Sequence, residues 1–352
     1  MKILVIQQKM IGDVLTSSIL CEAIKKKYPS AELHYLINKH TVPVVEHNPF
    51  IDKLVIFTPE IENSYIKFFK FLQQIKAEKY DTVIDVYGKI SSALITAFSR
   101  AKIRIGYHKS YSSFCYTHPI KRIKKPIHQH SLAIENRMRL LAPLAIAFQP
   151  IRPKIYLTNT EIDSAKFLLQ KRGINFGEPI FMVSVLGSST EKTYPYEYLA
   201  RLLDEIIIEK PTAQLLFNYI PKQEIEVKKI IQFCKAKTQK QIFFDIFGKS
   251  LREFMALTYH CSAMVGNEGG ANNMAKALGI PTFSIFAPYL NKQNWFGEIE
   301  NEKHRAVHLA DFSNYSTKDK ADAKKAPAEY YRKMKPALII PKLQPFLRNI
   351  TL

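Results

Sequence analysis

The chain has little of what would announce a catalytic class. Its 352 residues hold four cysteines, Cys21, Cys115, Cys234 and Cys261, scattered and without a C-x-x-C pair. Neither a disulfide framework nor a cysteine zinc site is therefore indicated. No run of about 18 apolar residues occurs, so no membrane-spanning helix is expected. The opening MKILVIQQKM turns polar too soon for a signal peptide and reads as a first strand. The first loop has one glycine where a dehydrogenase-type dinucleotide site needs G-x-G-x-x-G, which disfavours that class. Gly248-Lys249-Ser250 looks like the end of a P-loop, but Phe243 stands where the first glycine belongs, and a Walker-type ATPase is excluded. There is no G-x-S-x-G, no histidine pair at metal-ligand spacing and no D-x-D to chelate a metal beside a sugar nucleotide. His128 and His130 flank Gln129 in a basic stretch and read as solvent histidines.

What is present is a regular alternation. Hydrophobic residues make up 47% of the chain, enough to fill the cores of two domains. Near-continuous apolar runs at 2–6, 32–37, 54–57, 82–86 and 103–107 alternate with helical periodicity at 14–28, 64–77, 91–99 and 132–144. Strands that are apolar on both faces indicate a parallel sheet covered by helices. The pattern lapses at 149–159, QPIRPKIYLTN, where an inter-domain linker is expected. It resumes with strands at 179–186, 214–219, 241–246, 263–265 and 282–286, and helices at 195–209, 223–234 and 251–259. The division expected is a first domain over 1–155, a second over 156–335 and a terminal helix over 336–352 that could pack back on the first. Residues 314–328 are polar and read as an exposed loop.

The formal net charge is +20, and its placement is uneven. Residues 99–154 contain twelve Lys or Arg and one acid, Glu135. Such a block implies an anionic partner: nucleic acid, an acidic leaflet or a phosphorylated substrate. No recognisable nucleic-acid module accompanies it, and aromatics are not regularly interleaved, which argues against nucleic acid.

Three loops stand where a strand hands over to a helix, the edge at which open parallel sheets bind ligands. The first is 7–13. Its Asp13 reads either as a helix N-cap or as a carboxylate able to take a proton from a substrate hydroxyl. In the second, 186–193, Ser188, Ser189 and Lys192 supply the donors and positive charge a diphosphate needs; otherwise it is a Ser/Thr-rich turn with a solvent lysine. The third follows the strand at 263–265, where Gly269 and Gly270 open a helix. Adjacent glycines let backbone approach a ligand and leave helix N–H groups facing an anion; otherwise they make only a tight corner. Glu268 is the one acid there, a surface carboxylate or an acceptor for a sugar hydroxyl.

Four segments together resemble glycosyltransferase family 9, the ADP-heptose:lipopolysaccharide heptosyltransferases: MKILVIQQKMIGDVLTSSIL, IDVYGKISSAL with RIGY, GSSTEKTYP, and FGKSLREFMAL with VGNEGGANNMAKALGIPTFSIFAP. The resemblance implies an α/β, GT-B architecture, two Rossmann-like domains whose parallel sheets face across a cleft. It implies an inverting, metal-independent transfer of heptose to the inner core, with no cofactor beyond the nucleotide-sugar co-substrate. Asp13 would be the general base. Ser188, Ser189, Lys192 and the amides of Gly269, Gly270 and Ala271 would hold the diphosphate, Glu268 and Asn273 would lie at the donor, and Glu224 near the ribose. Gly12, Lys89, Arg100 and Arg104 would meet the anionic acceptor, and the basic block would suit it. The expected location is cytoplasmic, against the inner face of the inner membrane. One departure stands out: the family's Asp-Ser-Gly-Pro-x-His reads Glu-Gly-Gly-Ala-Asn-Asn here, so Asn273 replaces a histidine. A GT-B enzyme using another nucleotide sugar, a further transferase or an epimerase, and a non-catalytic polyanion-binding relative are the alternatives.

Overall fold

The computed structural model describes residues 1–297 and 303–351. They form two compact units, Met1–Tyr156 joined by a return segment from Gln293, and Leu157–Lys292 with the C-terminal chain. Gly297 of the return segment packs so closely on the backbone of Gln129 and His130 that a Cβ would lie 2.4 Å from the Gln129 carbonyl oxygen.

The first unit has one parallel sheet of six strands: β1 Lys2–Ile6, β2 Glu32–Asn38, β3 Lys53–Phe57, β4 Thr82–Asp85, β5 Ile103–Tyr107 and β6 His118–Ile120. Their order is β3-β2-β1-β4-β5-β6. The second has β7 Ile180–Ser184, β8 Gln214–Phe217, β9 Ile242–Phe243, β10 Ala263–Asn267, β11 Thr282–Ile285 and β12 His304–Val307, ordered β12-β11-β10-β7-β8-β9. Numbered within its own unit, each sheet runs 3-2-1-4-5-6, the Rossmann order. The repeat lies in topology, with no repeat in sequence.

The central strands are mostly apolar because both faces are covered. Ile3, Leu4, Val5 and Ile6 are all buried, as are Phe181, Met182 and Val183 in β7. Each such side chain contributes about 1.5–3 kcal/mol through burial. In both units the chain leaves the two middle strands in opposite directions: β1 leads to β2 and β4 to β5 on the other side, as β7 leads to β8 and β10 to β11. A crevice opens at the carboxyl ends of such a strand pair, and that is where these folds take ligands.

Several local expectations differ from the structure. The helix expected over 14–28 is two helices, Ile11–Ser17 and Ile19–Lys27, meeting at Ser18, whose Oγ donates to the Leu15 carbonyl. The polar stretch 314–328 is mostly helical. Ser316 caps the helix Thr317–Lys325 in a capping box with Asp319, and Pro327 opens a further helix to Lys333. The terminal helix Pro336–Arg348 belongs to the second unit. Its Ile339, Leu343, Phe346 and Leu347 enter that unit's core, and Arg348 pairs with Glu209 of the helix Tyr196–Glu209. A helix over Asn159–Lys171, capped by a Thr158–Glu161 box, fills the stretch after the linker that hydrophobic periodicity left without an element.

Candidate functional site

At the first unit's switch point, Asp13 does not cap its helix. Met10 holds that position with φ near 70°, the helix starts at Ile11, and Asp13 is a first-turn residue with its carboxylate turned sideways. Its Oδ1 accepts from Arg137 Nη2 at 2.6 Å. Arg137 is 9% exposed and otherwise spent on Ser17 Oγ at 2.8 Å and the Ala133 carbonyl at 2.9 Å, while Asp13 is 34% exposed. One carboxylate oxygen is thus fixed by a buried cation, and Oδ2 has no hydrogen-bond partner among the described residues. Arg137 was visible only as one member of a basic block. It is 124 residues from Asp13, and no local pattern announces the pair.

The loop after β4 adjoins this edge. Ser91 Oγ, in the first turn of the helix that follows, donates to Gln8 Oε1 at 2.9 Å, tying that helix to the β1 loop. Lys89, exposed, precedes the helix Ile90–Phe98. Its turn is built on Asp85: Oδ1 accepts from Gly88 N–H at 2.8 Å and Oδ2 from Tyr116 O–H at 2.7 Å. Gly88 has φ near +61°, where glycine is favoured, and Lys109 Nζ donates to its carbonyl at 2.5 Å. Gly12 lies on the same edge, its carbonyl accepting from Thr16 Oγ1.

Arg100 and Arg104 are not at this edge. Arg100 occupies the left-handed turn that enters β5 at the sheet's amino end. Arg104 donates from Nε to the Cys115 carbonyl and from Nη1 to the Ala101 carbonyl, which makes it a backbone brace. The basic residues that the topology places in the carboxyl-end loops of this sheet are instead Lys89 after β4, Lys109 after β5 and Arg122 after β6, the last lying 3.8 Å over the Tyr107 ring. His130 is buried, not solvated, and Glu135, the acid inside the basic block, accepts the N–H groups of Ile127, His128 and His130.

Burial pushes the Asp85 carboxyl up to about 6, against the pull of Gly88 N–H, Tyr116 and Lys109. An acid whose folded pKa exceeds its unfolded one binds a proton earlier when folded, so its contribution to stability grows as pH falls through 6 and levels off below 3.8. Relative to Asp85→Asn, the unmodified chain should gain on the order of 2 kcal/mol between pH 7 and pH 4. Urea unfolding of both proteins at the two pH values measures it. Parallel pH profiles would refute the burial argument.

In the second unit the loops after β7 and β10 flank the switch point. Asn267, fully buried at the end of β10, joins them. Its Oδ1 accepts from Tyr194 N–H at 2.7 Å, and its Nδ2 donates to the carbonyls of Ser184 and Val185 at 3.1 and 2.9 Å. Asn272 repeats the device, donating from Nδ2 to the Asn267 carbonyl and Ser284 Oγ. The short helical turn Thr190–Lys192 folds tightly on Gly187, where a Cβ would meet the Lys192 carbonyl oxygen at 2.3 Å. Tyr331, buried on the helix Pro327–Lys333, donates its O–H to that carbonyl at 3.1 Å. Neither Asn267 nor Tyr331 was singled out from sequence.

Ser188 and Ser189 are exposed at the loop tip, and Glu268 is half-buried. Burial raises the Glu268 carboxyl, while the charges of Lys192 and Lys276 pull it down, so the lysine loop and the acid share one electrostatic environment. Gly269 and Gly270 neither take a left-handed backbone nor crowd a neighbour: a Cβ on either would meet nothing within 4 Å. The chain's own packing does not require glycine here. Ala271 and Asn273 follow in the first turn of the helix Gly270–Ala277, half-buried. Glu224 opens the helix after β8 and pairs with Lys228 at 2.5 Å on an exposed face. Gly248, against the Phe254 backbone, and Ser250, N-cap of the helix Leu251–Tyr259, account for the P-loop-like Gly-Lys-Ser as local structure. Among the described residues no three His, Cys, Asp or Glu side chains gather as metal ligands would, and no helix is long and apolar enough to cross a membrane.

Comparison with known proteins bears on these two edges. The family model of glycosyltransferase family 9 (heptosyltransferase) matches residues 68–326. Lipopolysaccharide heptosyltransferase 1 of Campylobacter coli is 23% identical over 305 residues, 84% of this chain and 86% of that protein. The glycosyl transferase family 9 structure from Veillonella parvula superposes with a TM-score of 0.81 at 18% identity, covering 99% of this chain and 97% of its own. The ADP-heptose LPS heptosyltransferase II of E. coli does so with a TM-score of 0.71, also at 18%, covering 99% of each. The doubled Rossmann-like sheet is accordingly the GT-B fold, and with the family model spanning both switch-point loops of the second unit, the chain belongs to glycosyltransferase family 9 and is a glycosyltransferase.

Proposed function

We propose that the protein transfers heptose from ADP-heptose to the lipopolysaccharide inner core, with inversion at the anomeric carbon and without a metal. Asp13 Oδ2 takes the proton of the acceptor hydroxyl as that oxygen bonds to the anomeric carbon. The bond from that carbon to the diphosphate oxygen breaks, and its electron pair leaves with ADP. Lys192, Ser188 and Ser189 stabilise the departing charge, helped by the amides of Gly269, Gly270 and Ala271 at a helix N-terminus. Glu268 accepts from a sugar hydroxyl, and Asn273 donates a hydrogen bond where a family histidine would stand. Glu224 could reach a ribose only by leaving Lys228. Gly12 and Lys89, with Lys109 and Arg122 in place of Arg100 and Arg104, meet the phosphorylated acceptor. This reading puts the reaction in the cytoplasm, at the inner membrane.

The observation that carries the proposal is the second unit's switch point. There an exposed Ser-Ser-x-x-Lys loop and two unobstructed glycines are pinned together by Asn267. Such a site offers donors, a cation and open backbone to a nucleoside diphosphate. Calorimetric titration with ADP, GDP, UDP and CMP tests it. ADP and ADP-heptose should bind selectively and, at a hundredfold excess over Kd, stabilise the fold by about 2.7 kcal/mol. Preference for a non-adenine nucleotide would sink the donor assignment.

A further inference from the structure

The helix Ile90–Phe98, ISSALITAF, is a surface helix without a charged residue. Its inner face is ordinary: Ile95 enters the core beside Phe71 and Leu72, and Ala93 and Ala97 pack on Cys115 and Tyr116. Its outer face is not. Ile90, Leu94 and Phe98, four residues apart, form one exposed ridge, with Ile90 68% exposed. Phe114, in the short helical turn packed against this helix, is 81% exposed, and Tyr111 beside Lys109 is exposed as well. The neighbouring helix Tyr65–Ala77 adds Tyr65, Ile66 and Phe69, with Tyr65 95% exposed. Single exposed hydrophobics need no explanation, but a ridge continued across three adjoining elements does.

The charges on the ridge's own elements are of one sign. The acids beside them are Glu60 and Glu62 on the short helix Pro59–Glu62 and Glu78 at the end of Tyr65–Ala77, of which Glu62 pairs with Lys9 and Glu78 with Lys2 and Lys53. Lys89 precedes the helix, Arg100 and Lys102 follow it, and Lys67 and Lys70 lie on its neighbour. Residues 86–134 hold nine Lys or Arg and no acid, and residues 63–77 hold none either. Two copies of this face pressed together would set cation against cation. An anionic sheet with an apolar layer beneath it satisfies both features, because aromatic and aliphatic side chains sink below the headgroups while lysines and arginines stay among them.

We propose that this face docks the protein on an anionic phospholipid bilayer. Leu94, Phe98, Ile90 and Phe114 insert, and Lys67, Lys70, Arg100 and Lys102 pair with phosphate. The choice of a membrane partner rests on the reading of a lipopolysaccharide acceptor at the inner membrane given above. The docking test, however, uses no sugar nucleotide, and turnover of a water-soluble core fragment reads the transfer reaction separately.

The full chain is sedimented with vesicles of phosphatidylethanolamine and phosphatidylglycerol, and with phosphatidylcholine vesicles alone. Anionic vesicles should bind at least tenfold better, and less so as salt rises. Leu94→Ser, Phe98→Ser and Phe114→Ser combined should lower that partition at least tenfold with an unchanged Tm and unchanged turnover of the soluble fragment. Hydrogen exchange on the unaltered protein gives an independent readout: residues 90–98 and 111–115 should become protected when anionic vesicles are added. Partition equal to that of the triple variant, or protection confined to another face, overturns the proposal. So does a dimer that the triple variant dissociates, with no vesicle binding by either protein.

Discussion

Replacing Asp13 by asparagine is expected to lower kcat for sugar transfer about a thousandfold, within the range that a positioned general base supplies. The KM values for both substrates should move little. Asparagine keeps an oxygen for Arg137 Nη2 and nearly the same volume, so the pair that orients the side chain survives while proton acceptance is lost. Arg137 still has Ser17 Oγ and the Ala133 carbonyl, and the change in folding stability should stay within about 1 kcal/mol. Alanine is the less clean variant, because it leaves Nη2 of a nearly buried guanidinium without its carboxylate, at about 1–3 kcal/mol. Steady-state kinetics with matched donor and acceptor, beside thermal melts, separates the roles. If Asp13 were only a structural partner of Arg137, the asparagine variant would turn over at full rate. That result would remove Asp13 from the chemistry.

The sheets were legible in the sequence because parallel strands covered on both faces need apolar residues at nearly every position. Runs such as Lys2–Ile6 and Ile180–Ser184 carry that requirement locally. The loops at the switch points were legible for the same local reason, since a glycine pair after a strand and a Ser-Ser-x-x-Lys turn are contiguous. What escaped depends on distant partners. Asp13 met Arg137 across 124 residues, Asn267 met Tyr194 across 73, and Tyr331 met Lys192 across 139. Composition misled at 314–328, where polarity suggested a loop although Ser316 and Asp319 already spelled a capping box. Arg100 and Arg104 stand out in the sequence by the basic block and the domain that holds them. Charge carries no information about which end of a strand a residue occupies, and both fell on the amino side of β5 or were spent on carbonyls.

The glycines after β10 allow a test in which stability and function should move in opposite directions. Glycine normally persists where the backbone is left-handed or where a neighbour leaves no room for a Cβ, as at Gly266 and Gly187. Gly269 is extended, Gly270 is the first helical residue, and space around both is open. Gly270→Ala should therefore leave the fold intact or raise its stability by about 0.4–1 kcal/mol, since alanine restricts the unfolded chain and suits a helix better. If the open space belongs to a diphosphate lying against the amides of Gly269, Gly270 and Ala271, the new methyl holds the anion off its donors. Hydrogen bonds to a charged group are worth about 1.5–3 kcal/mol, so ADP affinity should fall at least tenfold, and further with Gly270→Val. Glu268→Gln keeps the shape of the loop and serves as the control for charge. Were the glycines merely a tight corner, both substitutions would destabilise the fold, and ADP affinity measured well below the Tm would be unchanged. A more stable protein that has lost its nucleotide is the outcome that only a ligand-occupied space above Gly270 explains.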